Sequence, residues 1–261
     1  MKLVRLALVT LAVWAALCAA LLAPRPACGQ AAAAPDVDRI VRELDQLFRS
    51  ASSRGSLEMR IVTPDWERTL EMDMWTEGTD RTFIRINAPR KERGVGTLRI
   101  GKEMWNFLPN VNKVIKVPPS MMTSAWMGSD FTNDDVVSEI SFVDDYDHEL
   151  ASVEAPEQGL IYIRSVPHDG VPVVWAQVVS AVREDGYLPV WERYYDEKGR
   201  LMRSMLFSEP RTFGARTIPA VLELVPENEK GRKTVMRYTD IVFDVPVDEE
   251  IFTLRHLRSP R

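Results

Sequence analysis

The sequence predicts a mainly β fold of the α+β kind. The expected form is one strongly curved antiparallel sheet, an unclosed β-barrel of about eleven strands, with helices covering its concave apolar face. Three observations lead there. From Ser56 onward, apolar and polar residues alternate at period two over most of the chain, the signature of antiparallel strands with one dry and one wet face. The alternating runs are separated by strong turn sequences: His168-Asp169-Gly170, Glu184-Asp185-Gly186, Asp196–Gly199 and Asn228–Gly231. A single long amphipathic segment precedes all of them.

Residues 1–31 stand apart. Lys2 and Arg5 precede an uncharged run from Leu6 to Leu22, then Arg25-Pro26 and the small-residue stretch Ala27–Ala31. That order is the one expected of a cleaved secretory signal peptide, which leaves residues 32–261 as a single domain. Both cysteines, Cys18 and Cys28, lie in this leader. Neither follows a good lipobox (Ala-Ala-Leu and Arg-Pro-Ala precede them), so a soluble exported chain is expected, with lipid anchoring at Cys28 the weaker alternative. A mature chain without cysteine has neither disulfides nor thiolate chemistry.

The mature chain begins on a short Ala/Pro spacer. Asp36 is a suitable N-cap for a helix running to about Ser53, with Val37, Ile40, Val41, Leu44, Leu47 and Phe48 on one face. Strands are then expected around Leu57–Ile61 and Leu70–Met74, at Arg81–Ala88, and at the Leu98-Arg99-Ile100 and Met104–Leu108 runs about a Gly-Lys turn. Lys113–Val117 follows. After Pro118-Pro119 comes an irregular segment containing Met121, Met122, Trp126 and Met127, with a short helical turn at Asp134–Val137. Further strands are expected at Glu139–Phe142, His148–Val153, Gly159–Val166, Val173–Arg183, Val190–Tyr195, Leu201–Ser208, Ile218–Val225 and Thr234–Phe243. A last turn at Asp248–Glu250 leads through Ile251 and Phe252 into a frayed basic tail.

Composition narrows the function. With 45% hydrophobic and 27% charged residues the chain is an ordinary globular one. Removing the leader's Lys2, Arg5 and Arg25 takes the formal charge from −5 to −8, and there is no basic cluster, which argues against nucleic acid as partner. His148, His168 and His256 are isolated from one another. Asp134-Asp135 and Asp144-Asp145 point to opposite faces of any strand that carries them, and the Asp144–Asp147 loop lacks the glycine and distal glutamate of a calcium loop. No phosphate loop, nucleophile elbow or zinc motif is present. No enzyme activity, cofactor or metal is expected.

The positive signal is methionine. Met59, Met72 and Met74 sit on the dry face of the first strands, where a packed sandwich would use Val or Leu. Met can simply fill a core, but an unbranched, polarizable side chain also suits a surface that accepts acyl chains of varying shape. The expected lining of such a cavity is Leu57, Met59, Ile61, Leu70, Met72, Met74, Ile84, Ile86, Trp105 and Phe107, with Met121, Met122, Trp126 and Met127 as its gate.

The stretch Gly101-Lys102-Glu103-Met104-Trp105-Asn106-Phe107-Leu108-Pro109 resembles the Gly-Lys-x-x-Trp-x-aromatic-x-Pro hairpin of the periplasmic lipoprotein carriers of the LolA/LolB type. Met72–Trp75, a turn, and Phe83–Pro89 are similar to the approach to that hairpin. Asp248–Thr253 is similar to the family's closing Asp-x-x-x-Phe-Thr. The run Gly128–Asp135 is more like the larger branch of outer-membrane lipoprotein-sorting proteins. The resemblance covers about Asp36–Leu257. It implies an unclosed barrel with a helical lid and a periplasmic carrier for lipoprotein acyl chains or other lipids, working between membrane donor and acceptor proteins. Two alternatives stay open: a sensor of lipid or lipoprotein that signals to a membrane protein, and a lipid-binding accessory subunit of a membrane exporter. One departure is plain: the turn Thr76–Thr79 lacks the arginine that latches the lid in the classical carriers.

Overall fold

The computed structural model describes residues 35–137, 141–171 and 173–259, so the leader, the start of the expected Glu139–Phe142 strand and the last two residues lie outside the described residues. Helix α1 spans Val37–Phe48; the Asp36 carboxylate accepts the Arg39 amide at 3.0 Å to cap it. It ends five residues earlier than the sequence suggests because Ser52 is already paired in strand β1 (Ser52–Val62) opposite Glu77 of β2 (Glu67–Glu77). Then come β3 (Arg81–Ala88), β4 (Gly96–Ile100), β5 (Glu103–Leu108) and β6 (Lys113–Val117). Helix α2 (Asn133–Val137) precedes β7 (Tyr146–Leu150), β8 (Leu160–Pro167), β9 (Gln177–Arg183) and β10 (Pro189–Tyr195). The long strands β11 (Leu201–Phe213), β12 (Arg216–Pro226) and β13 (Lys233–Phe243) lead to α3 (Leu254–Arg258).

All thirteen strands form one antiparallel sheet in the order β6-β5-β4-β3-β2-β1-β13-β12-β11-β10-β9-β8-β7. The count exceeds the expected eleven, and each strand corresponds to one of the runs named from the sequence. Ser141 and Phe142 are not in a strand; the Ser141 hydroxyl binds Asp144 in a turn instead. Residues 173–176 are likewise irregular, and β9 starts only at Gln177.

The sheet must curl. Laid flat, β2 and β8 would lie seven strand spacings apart, about 34 Å, yet Met74 and Ile163 from these strands border the same cavity. The edges stay open: β6 and β7, consecutive in sequence, are the two outermost strands. The chain between them has to cross the concave face.

That crossing segment, from Pro118 to α2, packs down rather than standing off as a loop. Trp126 is 2% exposed, and its indole N–H donates to Thr97 Oγ1 at 3.1 Å. Trp126, Phe131 and Val137 share a core with Leu57, Met59, Ile61, Leu70, Met72, Ile84 and Ile86. Four arginines hold the segment, three on strands and Arg232 just before β13. Arg68 donates to the Met127 carbonyl, Arg99 to the Val137 carbonyl at 2.6 Å, and Arg232 to the Asp130 carboxylate. Arg203 binds both oxygens of Asp135, each at 2.7 Å. Arg99 also donates to the carbonyls of Thr79 and Gly101, so the Thr76–Thr79 turn that lacks its own arginine is reached from β4. Met127 adopts a left-handed φ of 51°, an unfavourable conformation for a non-glycine residue that the surrounding contacts must hold.

The tail is ordered, which corrects the frayed end expected from its charge. Thr253 caps α3, and Arg85 on β3 donates to the carbonyls of His256 and Leu257 at 2.9 and 3.0 Å. Leu257 is fully buried with Phe83, Leu98, Phe107 and Phe252 on the convex side of the sheet. Gly96 makes room for it: a Cβ there would lie 2.8 Å from Leu257 Cδ1.

Two outcomes follow for stability. Asp135→Asn leaves the buried Arg203 guanidinium without its counter-charge and is expected to cost about 3–5 kcal/mol in urea unfolding at pH 7. Burial raises the Asp135 carboxyl, but the Arg203 hydrogen bonds and charge, with those from Thr132, outweigh it and hold the group below the usual range. Its contribution is therefore complete above the ordinary carboxylate range and fades as pH falls through the depressed value, so variant and parent should converge in acid. Leu257→Ala is expected to cost about 2–5 kcal/mol, read in the same titration; no change would mean that α3 is not part of the cooperative unit.

Candidate functional site

Between α1, α2 and the concave face lies a two-lobed cavity, each lobe about 350 Å³. The lobes share Leu44 and Phe48 of α1, Asp135 and Val136 of α2, Phe142, Glu192 and Tyr238. Both volumes are within the range of small-molecule sites.

The first lobe has a wall of small hydroxyl residues: Ser53, Thr76 and Thr82 from β1–β3, and Ser165 and Ser180 from β8 and β9. The register explains this. Ser53 pairs with Thr76 and Thr76 with Thr82, forming one row across three strands. Further along the same strands the rows are Leu57–Met72–Ile86 and Met59–Leu70. Side-chain size therefore increases along the concave face, and space remains where the side chains are short.

The second lobe is aromatic. Phe142 and Tyr146 stack at 4.5 Å, Trp175 meets Tyr194 edge-on at 4.9 Å, and the Trp175 indole N–H donates to the Tyr146 hydroxyl at 3.0 Å. The Arg203 guanidinium lies over the rings of Trp175 and Tyr194 at 4.7 and 4.5 Å while it pairs with Asp135. Burial pushes the Tyr146 hydroxyl up to about 12 and Tyr238 likewise to about 12, and raises Tyr194 well above the ordinary phenol value. All three phenols are neutral donors at physiological pH.

Glu192 stands where the lobes meet. The Tyr194 hydroxyl donates to its Oε2 at 2.5 Å. No ion-pair partner faces it among the described residues, and the rest of its surface borders the cavity. Burial raises its carboxyl above the usual range, against the Tyr194 hydrogen bond and the Arg203 charge, which pull it down.

One arrangement meets the distance expected of a nucleophile and base. Ser165 Oγ is 2.8 Å from His148 Nδ1, and His148 Nε2 is 2.6 Å from the Phe142 carbonyl. Burial lowers the His148 pKa, so the neutral ring donates from Nε2 and accepts the serine proton at Nδ1. Yet Ser165 is inside β8, paired to both β7 and β9. Its neighbouring amides belong to those ladders and offer no oxyanion hole. The pair is a cross-strand hydrogen bond lining the wall.

Of the lining residues expected from sequence, Met74 borders the cavity. Leu57, Met59, Ile61, Leu70, Met72, Ile84 and Ile86 are concave-facing as expected but are covered by the crossing segment. Trp105 and Phe107 are on the convex face with α3, because β5 turns Met104 inward and its odd neighbours outward. The four gate residues divide: Trp126 is buried in the core, Met122 and Met127 pack against it, and Met121 is half exposed. The residues that sequence reasoning missed are Phe48, Tyr146, Trp175, Glu192, Tyr194, Arg203 and Tyr238. Glu192 and Tyr194 lie on the concave side in a strand whose alternate residues, Trp191 and Arg193, face out, and a carboxylate in that row was the available signal.

Comparison with known proteins agrees with the architecture. A structure of a DUF1329 family protein from Desulfovibrio piger superposes with a TM-score of 0.76 at 23% identity, over 84% of this chain and 97% of that one. A putative outer membrane lipoprotein-sorting protein domain from Vibrio parahaemolyticus gives 0.73 at 18% identity, over 85% and 98%. A LolA superfamily protein from Nitrosomonas europaea gives 0.70 at 20%, over 84% and 98%. No curated protein matches the sequence. A family model described as "Uncharacterized protein" matches residues 78–259. The chain belongs to that family, and it shares the open, helix-covered sheet of these three structures.

Proposed function

We propose that this protein is a non-enzymatic periplasmic carrier that takes up acyl chains of a lipid or lipoprotein for passage toward the outer membrane. The observation that carries this reading is the two-lobed cavity under α1, apolar and aromatic over much of its wall, with a limited set of polar groups at its centre. The shared fold with a putative lipoprotein-sorting domain supports it, and the leader expected at residues 1–31 supplies the export route. Membrane donor and acceptor proteins are the partners such a role requires.

The energetics suit a carrier. Each buried methylene contributes about 0.8 kcal/mol, so a dodecyl tail gains about 9 kcal/mol, much of it offset by lost translational and rotational freedom. What remains corresponds to binding weaker than about 1 μM, which permits release to an acceptor. Opening the site needs α1 to move, since its Leu44 and Phe48 cover both lobes and α1 is joined to the sheet by a short connection, Arg49–Ala51.

Native mass spectrometry with lipid extraction, on the exported protein purified without detergent, is expected to show bound lipid or acylated peptide. Met74→Glu should lower retention about tenfold or more, because a buried carboxylate then faces the tail. Trp105→Ala, on the convex face, should leave it unchanged. A clean apo mass together with no uptake of a fluorescent acyl probe would refute the carrier reading.

A further inference from the structure

We infer that Glu192 receives the polar head of the cargo, and that this head is cationic: an amine-bearing amphiphile rather than an anionic one. This rests on the carrier reading and specifies which amphiphile the cavity selects.

Among the described residues, the charges on the cavity wall are four carboxyls, Asp45, Asp134, Asp135 and Glu192, against two guanidiniums, Arg49 and Arg203, and no lysine. Both guanidiniums are committed. Arg49 Nε donates to Asp45 at 2.6 Å, and Arg203 is held by both oxygens of Asp135. Neither is available to a phosphate or carboxylate head, and an anion would sit beside an excess of negative charge in a poorly solvated space, where like charges repel most strongly.

Glu192 is the reverse case. It has one hydrogen bond, from a neutral phenol, and cavity in front of the rest of its carboxyl. An ammonium there would gain a charge-assisted hydrogen bond in low dielectric. Its tail would have Phe48, Met74, Tyr238 and Ile241 along one lobe, or Phe131, Phe207 and Met236 along the other.

The pH dependence has a definite sign. Ammonium binding requires ionised Glu192, whose titration is raised by burial, so affinity should fall as pH drops through that raised value. The titratable and charged groups that share the cavity wall with Glu192 are Tyr194 on its own strand, Arg203 on β11, Asp134 and Asp135 on α2, Tyr146 on β7, Tyr238 on β13, and Asp45 of α1 with Arg49 just after it; His148 on β7 bonds Ser165 of that wall. Of the remaining groups, His148 would also weaken cation binding when it gains a proton, and a slope that persists without Glu192 would belong to it. Linkage gives the stability sign: ionising Glu192 destabilises the fold, so stability is lost as pH rises from the ordinary carboxylate range to the raised value. Glu192→Gln, which can still accept from Tyr194, should therefore raise Tm at neutral pH and not in acid.

The test is displacement of a fluorescent acyl probe from the full mature chain by tail-matched dodecylamine, dodecanol and dodecanoate, each below its micellar concentration. Dodecylamine is expected to bind at least about tenfold tighter than dodecanoate, the scale of one charged hydrogen bond. In Glu192→Gln the two should come within about threefold, with dodecanol unchanged and the pH slope of the amine lost. Dodecanoate binding as tightly as dodecylamine to the unmodified chain overturns the inference by itself, whether or not the variant folds. So does a preference that survives in Glu192→Gln. If the probe itself does not bind, the carrier reading fails, and that result is distinct from probe binding without amine preference.

Discussion

A connection that must cross the mouth of the sheet organises this molecule. Strands β6 and β7 follow each other in sequence but occupy opposite edges, about 58 Å apart if the sheet were flat. The sheet is curled, so the intervening chain crosses its concave side, and in crossing it covers half of that face. Trp126, Phe131 and Val137 are the apolar residues that make this crossing favourable. The arginines make it specific, because each meets a carbonyl or carboxylate that the irregular backbone would otherwise leave unpaired in a dry place. Arg203 is the most consequential. It bonds α2 from β11 while Arg99 bonds it from β4, so α2 is held from both halves of the sheet.

With half of the concave face filled in this way, the cavity is what remains under α1. Its position is a matter of volume. Along β1 the inward residues run Ser53, Gly55, Leu57, Met59, Ile61, and β2 ends on Met74 and Thr76. The large members meet the crossing segment; the small ones have nothing large opposite them except the α1 side chains. A close-packed interior tolerates few voids, so a row of short hydroxyl residues facing Phe48 and Leu44 is a persistent opening rather than a packing defect. Those hydroxyls also keep the wall hydrogen-bonded when it is empty, as Ser53 with Thr76 at 2.7 Å shows.

Much of the fold was legible in the sequence. The period-two alternation and the turn sequences gave the antiparallel sheet, and the apolar stripe of Val37–Phe48 gave the covering helix. The residues named for the cavity face were concave in every case but two, Trp105 and Phe107, where a single step of phase along β5 decides the face. The site was not legible in the same way. Met59 and Met72 have the right chemistry for a lipid wall, but whether a concave residue borders space or core depends on what is laid across it. That information belongs to long-range pairs such as Thr97 with Trp126 and Arg203 with Asp135, which no local pattern encodes. The tail was misread for a related reason: Arg255 and Arg258 suggest solvent, and only the glycine at 96 and the carbonyl-binding Arg85 reveal a seat for Leu257.

Glu192 is the residue that stability alone does not explain. Asp135 and Asp45 each have a guanidinium, so their burial is compensated. Glu192 has a phenol, and burial raises its carboxyl, which means that the ionised form is held at a cost to the fold. A glutamine would keep the hydrogen bond from Tyr194 and remove that cost. A serine would continue the hydroxyl wall that Ser165 and Ser180 already provide on the neighbouring strands. A carboxyl in this row is therefore the opposite of what packing and solvation favour. It also sits at the junction of a hydroxyl-lined lobe and an aromatic one, and it borders both. Partly buried titratable groups that oppose stability and open onto a cavity are candidates for function. In a cavity whose two guanidiniums are already held by Asp45 and Asp135, the chemistry left to this carboxyl is to hold a positive charge.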